Sequence, residues 1–372
     1  MHPHDDHGSD DRLFGGGRRP LTIGLVLVVT GIAFEALAVA TVMPEVARDL
    51  DGLRLYGWAF SAFMLAHVAG VAVAGPIGDH RGPAQPFAVG LVLFGAGLLL
   101  GGLAPVMPLV VVGRAVQGLG AGAVMSMAYV AMGHAYPAEA RARLFAVLST
   151  AWVVPGMVGP AVAGAVADSV GWRAVFLGLV PMLPVAGVLT LPVLHRLGPD
   201  GPVEDRPESR VADAVRLAAG AGVVVAGLGS SSLPVLVASV AAGLAVGARS
   251  LGRLVPAGTF RSAGPLPSAA AVRALTGIAF FATEAFVPLA LTSLRGWSTT
   301  EAGLVLSTSA VTWAAGSWVQ TRLGPAWGHR RVGRAGAALV AVGVVGMALV
   351  LVRDVPALVA VPAWAAGGLG MG

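Results

Sequence analysis

The sequence contains no cysteine and no lysine, and only three tyrosines. Without cysteine there is no disulfide framework, no thiolate metal site and no cysteine nucleophile. Without lysine the phosphate-binding sequence GxxxxGK[ST] cannot occur, which leaves ATP-driven pumping by this chain without support. Charge is scarce too: 12% of the 372 residues are charged, where soluble domains carry about 25%. Apolar residues take that place, at 56% of the chain against about 45–50% in soluble proteins, so a soluble fold is excluded on composition. The sequences H-E-x-x-H and G-x-S-x-G are also missing, and no helix face pairs two carboxylates, so enzyme chemistry has no foothold.

A membrane span needs about 20 mostly apolar residues. Strong runs of that kind lie near Leu21–Met43, Trp58–Ile77, Phe87–Val106, Leu109–Met132, Leu144–Val166 and Ala174–Leu194. Two weaker runs follow, Leu217–Gly229 and Leu233–Gly247, and then Ala269–Leu291, Ala302–Val319, Ala335–Val352 and Ala357 to the end, about twelve in all. With a cytoplasmic N-terminus, 18 arginines fall on inside segments, five on outside segments, and Arg114 within a span. The positive-inside rule therefore sets the orientation, and the net charge of +5 reflects topology rather than a nucleic-acid surface. The chain is expected in the cell membrane, multi-pass.

Residues 1–20 form a polar opening rich in His, Asp and Gly, read as a disordered cytoplasmic tail rather than a metal site. Arg18 and Arg19 precede an apolar run near 22 residues, longer than a secretory signal core, so it is read as the first span. Residues 21–194 then make a six-helix unit. Residues 195–268 make a linker, rich in Pro and charge at its start, that carries the two weaker helices. Residues 269–372 make a partial second unit.

An internal repeat supports this division. QGLGAG at Gln117–Gly122 returns as GGLGMG at Gly367–Gly372, a spacing of 250. GPIGDHR at Gly75–Arg81 returns as GPAWGHR at Gly324–Arg330, a spacing of 249, and the same offset carries Glu35 onto Glu284. GIAF at Gly31 and Gly277 lies only 246 apart, so the first-span correspondence needs a small gap. On this repeat the second unit should hold six spans, and the sequence stops within the fourth; either the chain is a fragment or its second half is truncated.

Three charged side chains fall well inside spans: Glu35, Arg114 and Glu284. Each costs at least about 2.5–3.5 kcal/mol to insert, so each is a functional candidate. Both glutamates lie about four residues beyond the centres of their spans, roughly 5–6 Å outward of the midplane, and Arg114 lies at a similar level. Arg114 is thus positioned to pair with Glu35 or with Glu284. Such a pair either only fixes packing or serves proton exchange, since a carboxyl in a dry site takes a proton and gives it up when a cation approaches. His67, near the centre of the second span, admits a relay or substrate role, or a bond to a backbone carbonyl or serine. Trp313 shares a stripe with Ser309 and Ser317, and with Phe280 and Phe281 it suggests an aromatic cavity for an apolar cation, or simple packing. Asp168 and Asp79 sit at helix ends, where charge reaches water cheaply.

GPIGDHRGP, Gly75–Pro83, resembles the loop signature of the major facilitator superfamily, with Gly75, Ile77, Asp79 and Gly82 in place. Pro83 and Ala84 stand where that signature has two basic residues, with Arg81 nearby as a substitute. RAVQGLGAG, Arg114–Gly122, is similar to the fourth-span signature of its drug:proton antiporters. VPGMVGPAVAG, Val154–Gly164, resembles their fifth-span signature and keeps Gly159, Pro160 and Gly164, with Pro155 and Ala163 at two glycine positions. GWRAVF, Gly171–Phe176, resembles the start of their sixth span. The two weaker helices match the fourteen-span kind.

The resemblance implies an all-α polytopic membrane protein with the two-bundle major-facilitator fold, its second bundle incomplete. It implies proton-coupled export of hydrophobic or cationic drug-like compounds by alternating access, with no cofactor and no metal. The proton-coupling role carries to Glu35, Arg114 and Glu284, and the conformational role to Gly75, Asp79, Arg81, Gly82, Gly159, Pro160 and Gly164. His67, Gln117, Phe281 and Trp313 are the expected cavity residues. Two alternatives stay open: a facilitator or symporter of a small metabolite, and a non-transporting sensor or remnant. Three tyrosines and mainly Ser and Thr as polar residues within spans favour an apolar substrate over a sugar or amino acid.

Overall fold

The computed structural model describes residues 18–198, 209–230, 232–255, 259–261 and 264–372. The His- and Asp-rich opening and the middle of the polar linker lie outside them. The described residues are almost wholly helical: α1 (Arg19–Asp49), α2 (Tyr56–Arg81), α3 (Ala84–Gly102), α4 (Met107–Ala135), α5 (Ala138–Val170), α6 (Trp172–Leu177), α7 (Met182–Leu197), α8 (Ser209–Leu228), α9 (Leu233–Leu254), α10 (Pro265–Arg295), α11 (Thr299–Trp327), α12 (His329–Leu349) and α13 (Ala360–Met371). Helix is the outcome that apolar runs of this length dictate in lipid, where every backbone N–H and C=O must find its partner within the segment.

Among the described residues, ten helices are long and apolar enough to cross a membrane, with α6 and α7 counted together as Trp172–Leu197. The chain is a multi-pass membrane protein. α11 is a continuous helix of 29 residues but does not meet that apolar measure, because Ser, Thr and Glu interrupt its apolar residues. The last apolar helix, Ala357–Met371, is shorter than a full span. Most helices overrun their apolar runs by several residues into polar ends; α1, for example, continues to Asp49.

Two cores form. The first gathers α1 to α7 around Leu25, Val28, Phe87, Phe94, Val124 and Phe176; the second gathers α10 to α13 around Phe280, Leu291, Leu306 and Trp364. Between them in sequence, α8 and α9 form a hairpin whose helices meet at Gly220 and Gly243 and which leans on α2 near Gly222 and Leu65. Asp213 of α8 is buried and accepts from Ser250 Oγ at 3.0 Å, with Arg216 and Arg253 alongside, which ties the hairpin at one end.

Without a hydrophobic drive between helices in lipid, close approach depends on small residues. The repeat seen in sequence is built on that rule. Gly118 and Gly122 of α4 press on the carbonyls of Phe63 and His67 in α2, and Gly368 of α13 and Gly372, which follows that helix, press on those of Ser309 and Trp313 in α11. α4 thus maps onto α13 at 250 residues, as the sequence spacing has it, whereas α2 maps onto α11 at 246. The helix ends agree: α2 stops at Gly82, φ +81°, and α11 at Gly328, φ +77°, again 246 apart. The structure therefore shifts the GPIGDHR correspondence by three residues from the spacing of 249. A left-handed glycine that must end the helix is a stronger marker of equivalence than the letters around it.

Candidate functional site

α1, α2 and α4 meet around Glu35. Its side chain is fully buried, as is that of Arg114, and Glu35 Oε1 accepts an ion-paired hydrogen bond from the Arg114 guanidinium. The same oxygen accepts from Gln117 Nε2 at 3.2 Å, while Arg114 also donates to Gln117 Oε1 at 3.1 Å and, through Nε, to the Ala59 carbonyl at 3.1 Å. Spacing explains the triangle: Arg114 and Gln117 are three residues apart, one turn on the same face of α4. The guanidinium lies 4.2 Å over the ring of Phe63, and that ring stacks with His67 at 6.0 Å. Apolar walls strengthen every charge interaction inside them, and removing one partner of such a pair is costly.

Two polar atoms in this node have no partner. Glu35 Oε2 and His67 Nδ1 are buried and make no hydrogen bond. The carboxylate therefore has one oxygen with two donors and one with none. That asymmetry leaves an oxygen able to take a proton without first breaking a bond.

Of the two pairings open in the sequence, Arg114 makes the one with Glu35. Glu284 stands apart on α10. It follows Phe280 by four residues and precedes Val287 and Leu291 by three and seven, and those three are buried, so Glu284 belongs to the inward stripe of α10. It is partly buried and has no hydrogen-bond or ion-pair partner among the described residues. Beside it lies the expected aromatic group. Phe281 and Trp313 are 6.1 Å apart, Phe280 meets Trp313 edge-on at 5.7 Å, and Phe280 stacks on Trp364 at 4.6 Å.

The same geometry points to a known architecture. The model of the Major Facilitator Superfamily matches residues 21–372. The chain belongs to the major facilitator superfamily. Its relatives include the "Multidrug transporter protein MdtP" of Bacillus subtilis (strain 168), 29% identical over 186 residues, which is 50% of this chain and 34% of that protein. They also include the "Uncharacterized MFS-type transporter Rv1877" of Mycobacterium tuberculosis, 30% identical over 297 residues, 76% of this chain and 42% of that one. The chain thus spans about a third of the length of the first of these relatives. Among solved structures, the xylose transporter XylE from E. coli superposes with a TM-score of 0.60 at 14% identity, over 95% of this chain and 84% of that one. A peptide transporter, POT, in complex with sulfate gives 0.66 at 15% identity, over 94% and 79%. Fold and family are those of transporters, not enzymes.

In this superfamily chain the fifth-span residues line the seam between the two bundles. The carbonyl of Pro160 abuts Gly303 of α11, Gly164 lies against Thr299 and Thr300, Gly156 faces Ala310, and Gly159 faces Phe34 of α1. Added Cβ atoms at these glycines would press on α11 or α1. α5 and α11 thus touch along one half of their length. Beyond Gly156, towards the other end, Trp152 and Phe145 of α5 and Trp318 of α11 are exposed. The loop residues lie at that other end: Asp79 is buried, Arg81 is exposed as the last residue of α2, and Gly82 takes φ +81°. Gly75 has open space around it.

Several residues that matter here were not singled out by the sequence. Asp168, passed over as a charge at a helix end, crosses the seam: its Oδ2 accepts from the Thr300 amide at 3.1 Å and the Thr300 hydroxyl at 2.6 Å. It therefore caps α11 from α5. Ser298 and Glu301 close the same helix end with a capping box, a pattern readable as S-x-x-E. At the same level Asp49 accepts from Trp172 Nε1 at 3.0 Å and from Arg173 at 2.9 Å, which gives GWRAVF its structural purpose. Phe63 and Trp364 carried no periodic or motif signal of their own.

Proposed function

We propose that this chain is the transport core of a proton-coupled exporter of hydrophobic or cationic drug-like compounds, of the drug:proton antiporter type with two inserted helices. The observation that carries the reading is the buried Glu35–Arg114–Gln117 node with one unpartnered carboxylate oxygen. That oxygen is free to take a proton, and an ion pair buried for packing alone gains little over apolar residues of similar volume. Protonation at Oε2 removes the charge that holds the guanidinium. Arg114 then rests on Gln117, the Ala59 carbonyl and the Phe63 ring, so the polar tie of α1 to α4 falls to the Gln117 Nε2 bond while the arginine keeps partners.

Alternating access needs one end of the seam closed while the other is open. Contacts from Asp168–Thr300 to Gly156–Ala310 close one end, and the other end, beyond Gly156, is read as the open one. With a cytoplasmic N-terminus the open end faces the cytoplasm, as loading an exporter from inside requires, and the protein sits in the cell membrane. The relatives named as multidrug transporters support the substrate class. The test is reconstitution into vesicles with a pH-sensitive dye: adding a drug-like cation should release protons against its movement, and unchanged antiport in Glu35→Gln removes Glu35 from the mechanism.

A further inference from the structure

Charge on the α8–α9 hairpin is confined to one end. The two helices carry four arginines, Arg210, Arg216, Arg249 and Arg253, and a single acidic residue, Asp213. Arg210, Asp213 and Arg216 fall in the first eight residues of α8, and Arg249 and Arg253 in the last six of α9. The connection at the opposite end, GSSS at Gly229–Ser232, holds no charge. Gly220 packs against Gly243 so closely that a Cβ on either would strike backbone, which brings the two helices together. Asp213 and Ser250 are buried, and Asp213 Oδ1 accepts from Ser250 Oγ at 3.0 Å. The same oxygen faces two guanidinium groups, Arg216 Nη1 at 3.5 Å and Arg253 Nη1 at 3.4 Å. Those distances exceed the roughly 2.7–2.9 Å of a close charge-assisted bond, and both arginine side chains are 58% exposed.

From this we infer that the arginine end of the hairpin binds the phosphodiester headgroup of an acidic membrane lipid, between Arg216 of α8 and Arg253 of α9. Placement on the positive side of the membrane lets each arginine snorkel to water by itself. Here two arginines from different helices converge instead on one carboxylate oxygen, which answers one of their two charges. Each guanidinium has five N–H donors in a planar fork, and a phosphate supplies oxygens to match it. Arg249, exposed and one turn before Arg253, adds a third positive side chain. What adjoins the arginines favours a lipid over a free phosphate ion. Val215 and Leu254, next in sequence to Arg216 and Arg253, are exposed, as are Leu244 and Val246 further along α9. Acyl chains gain from such a surface and a soluble anion does not. Basic pockets between helices take acidic headgroups in this way, and each arginine near them is worth about fivefold in affinity. The site uses no group of the Glu35–Arg114–Gln117 node, so it goes beyond the exporter reading and does not depend on it.

The experiment is equilibrium binding of tail-labelled phosphatidylglycerol and phosphatidylcholine to the purified, delipidated chain in an uncharged detergent, with no transport step. With two arginines engaged, wild type should bind phosphatidylglycerol at least about tenfold tighter than phosphatidylcholine. Arg216→Gln combined with Arg253→Gln should cut that preference below threefold and leave phosphatidylcholine binding unchanged. Arg331→Gln combined with Arg334→Gln removes the same charge from exposed positions on α12 and should leave the preference within twofold of wild type. If the hairpin double variant fails to fold, Arg253→Gln decides alone, with a loss of at least threefold. A large excess of inorganic phosphate should displace less than half of the bound lipid. The inference is overturned if wild type shows no preference or if the hairpin variant keeps it. It is overturned equally if the α12 variant loses as much, which is general surface charge, or if inorganic phosphate displaces the lipid fully, which makes the site one for a free anion.

Discussion

The cap that Asp168 supplies to α11 can be broken without touching either core. In Asp168→Ala the Thr300 amide and hydroxyl lose their acceptor, while Ser298 and Glu301 still satisfy each other through the capping box. One helix-end donor is orphaned, a loss worth about 0.5–2 kcal/mol. Asp168 and Thr300 form an exposed contact, where water replaces part of what is lost, so the lower half of that range applies, about 0.5–1 kcal/mol. If the cap exists only while the seam is closed, that free energy shifts the closed–open balance about two- to fivefold toward opening. The chain has no cysteine, so a single cysteine at Ala310, opposite Gly156, reports seam opening without background. Labelling by a membrane-impermeant maleimide from the outer side should quicken about two- to fivefold in Asp168→Ala, and by less in Thr300→Val, which keeps its amide donor. Unchanged labelling in Asp168→Ala refutes the latch. So does an equal rise at a cysteine placed at Ala186 in the first core, which reports general loosening.

Other consequences follow from the same contacts. Arg114→Gln strands the buried Glu35 charge and should destabilise the chain by about 3–5 kcal/mol; combining it with Glu35→Gln should recover much of the lost thermal stability, read as a melting midpoint in detergent. Gly303→Ala places a Cβ against the Pro160 carbonyl, so it should hold the seam open and raise labelling at the Ala310 position above that of Asp168→Ala. Gly82→Ala puts a side chain at φ +81° and should lower stability by about 1 kcal/mol or more, with Gly328→Ala, at φ +77°, doing the same in the second bundle.

Much of the fold was legible because lipid leaves few choices: an apolar run long enough to cross must be a helix, and glycine spacing within it tells where another helix comes close. QGLGAG and GGLGMG were readable as a repeat, and their glycines do press on matching carbonyls of α2 and α11. The α2–α11 offset was not readable from letters, since it rests on which glycine takes the left-handed conformation. Among site residues, depth along the span was enough to bring Glu35 and Arg114 to one level, but not to choose Glu35 over Glu284; that choice depends on which helices are neighbours. Gln117 was visible through the motif, yet its bonds to both Arg114 and Glu35 need the helix face in three dimensions. Asp168 was hidden for the opposite reason. Its partner, Thr300, lies 132 residues away, and a charge at a helix end carries no local sign of a cross-bundle contact.

The central claim is that Glu35 is the group through which proton movement is coupled to substrate movement. The decisive measurement compares two modes in the same proteoliposomes, with wild type and Glu35→Gln. Exchange of labelled for unlabelled substrate at equal pH needs no net proton transfer, whereas accumulation driven by a pH gradient does. The account predicts that Glu35→Gln keeps the exchange and loses the gradient-driven accumulation. Accumulation at the wild-type level in Glu35→Gln would contradict it.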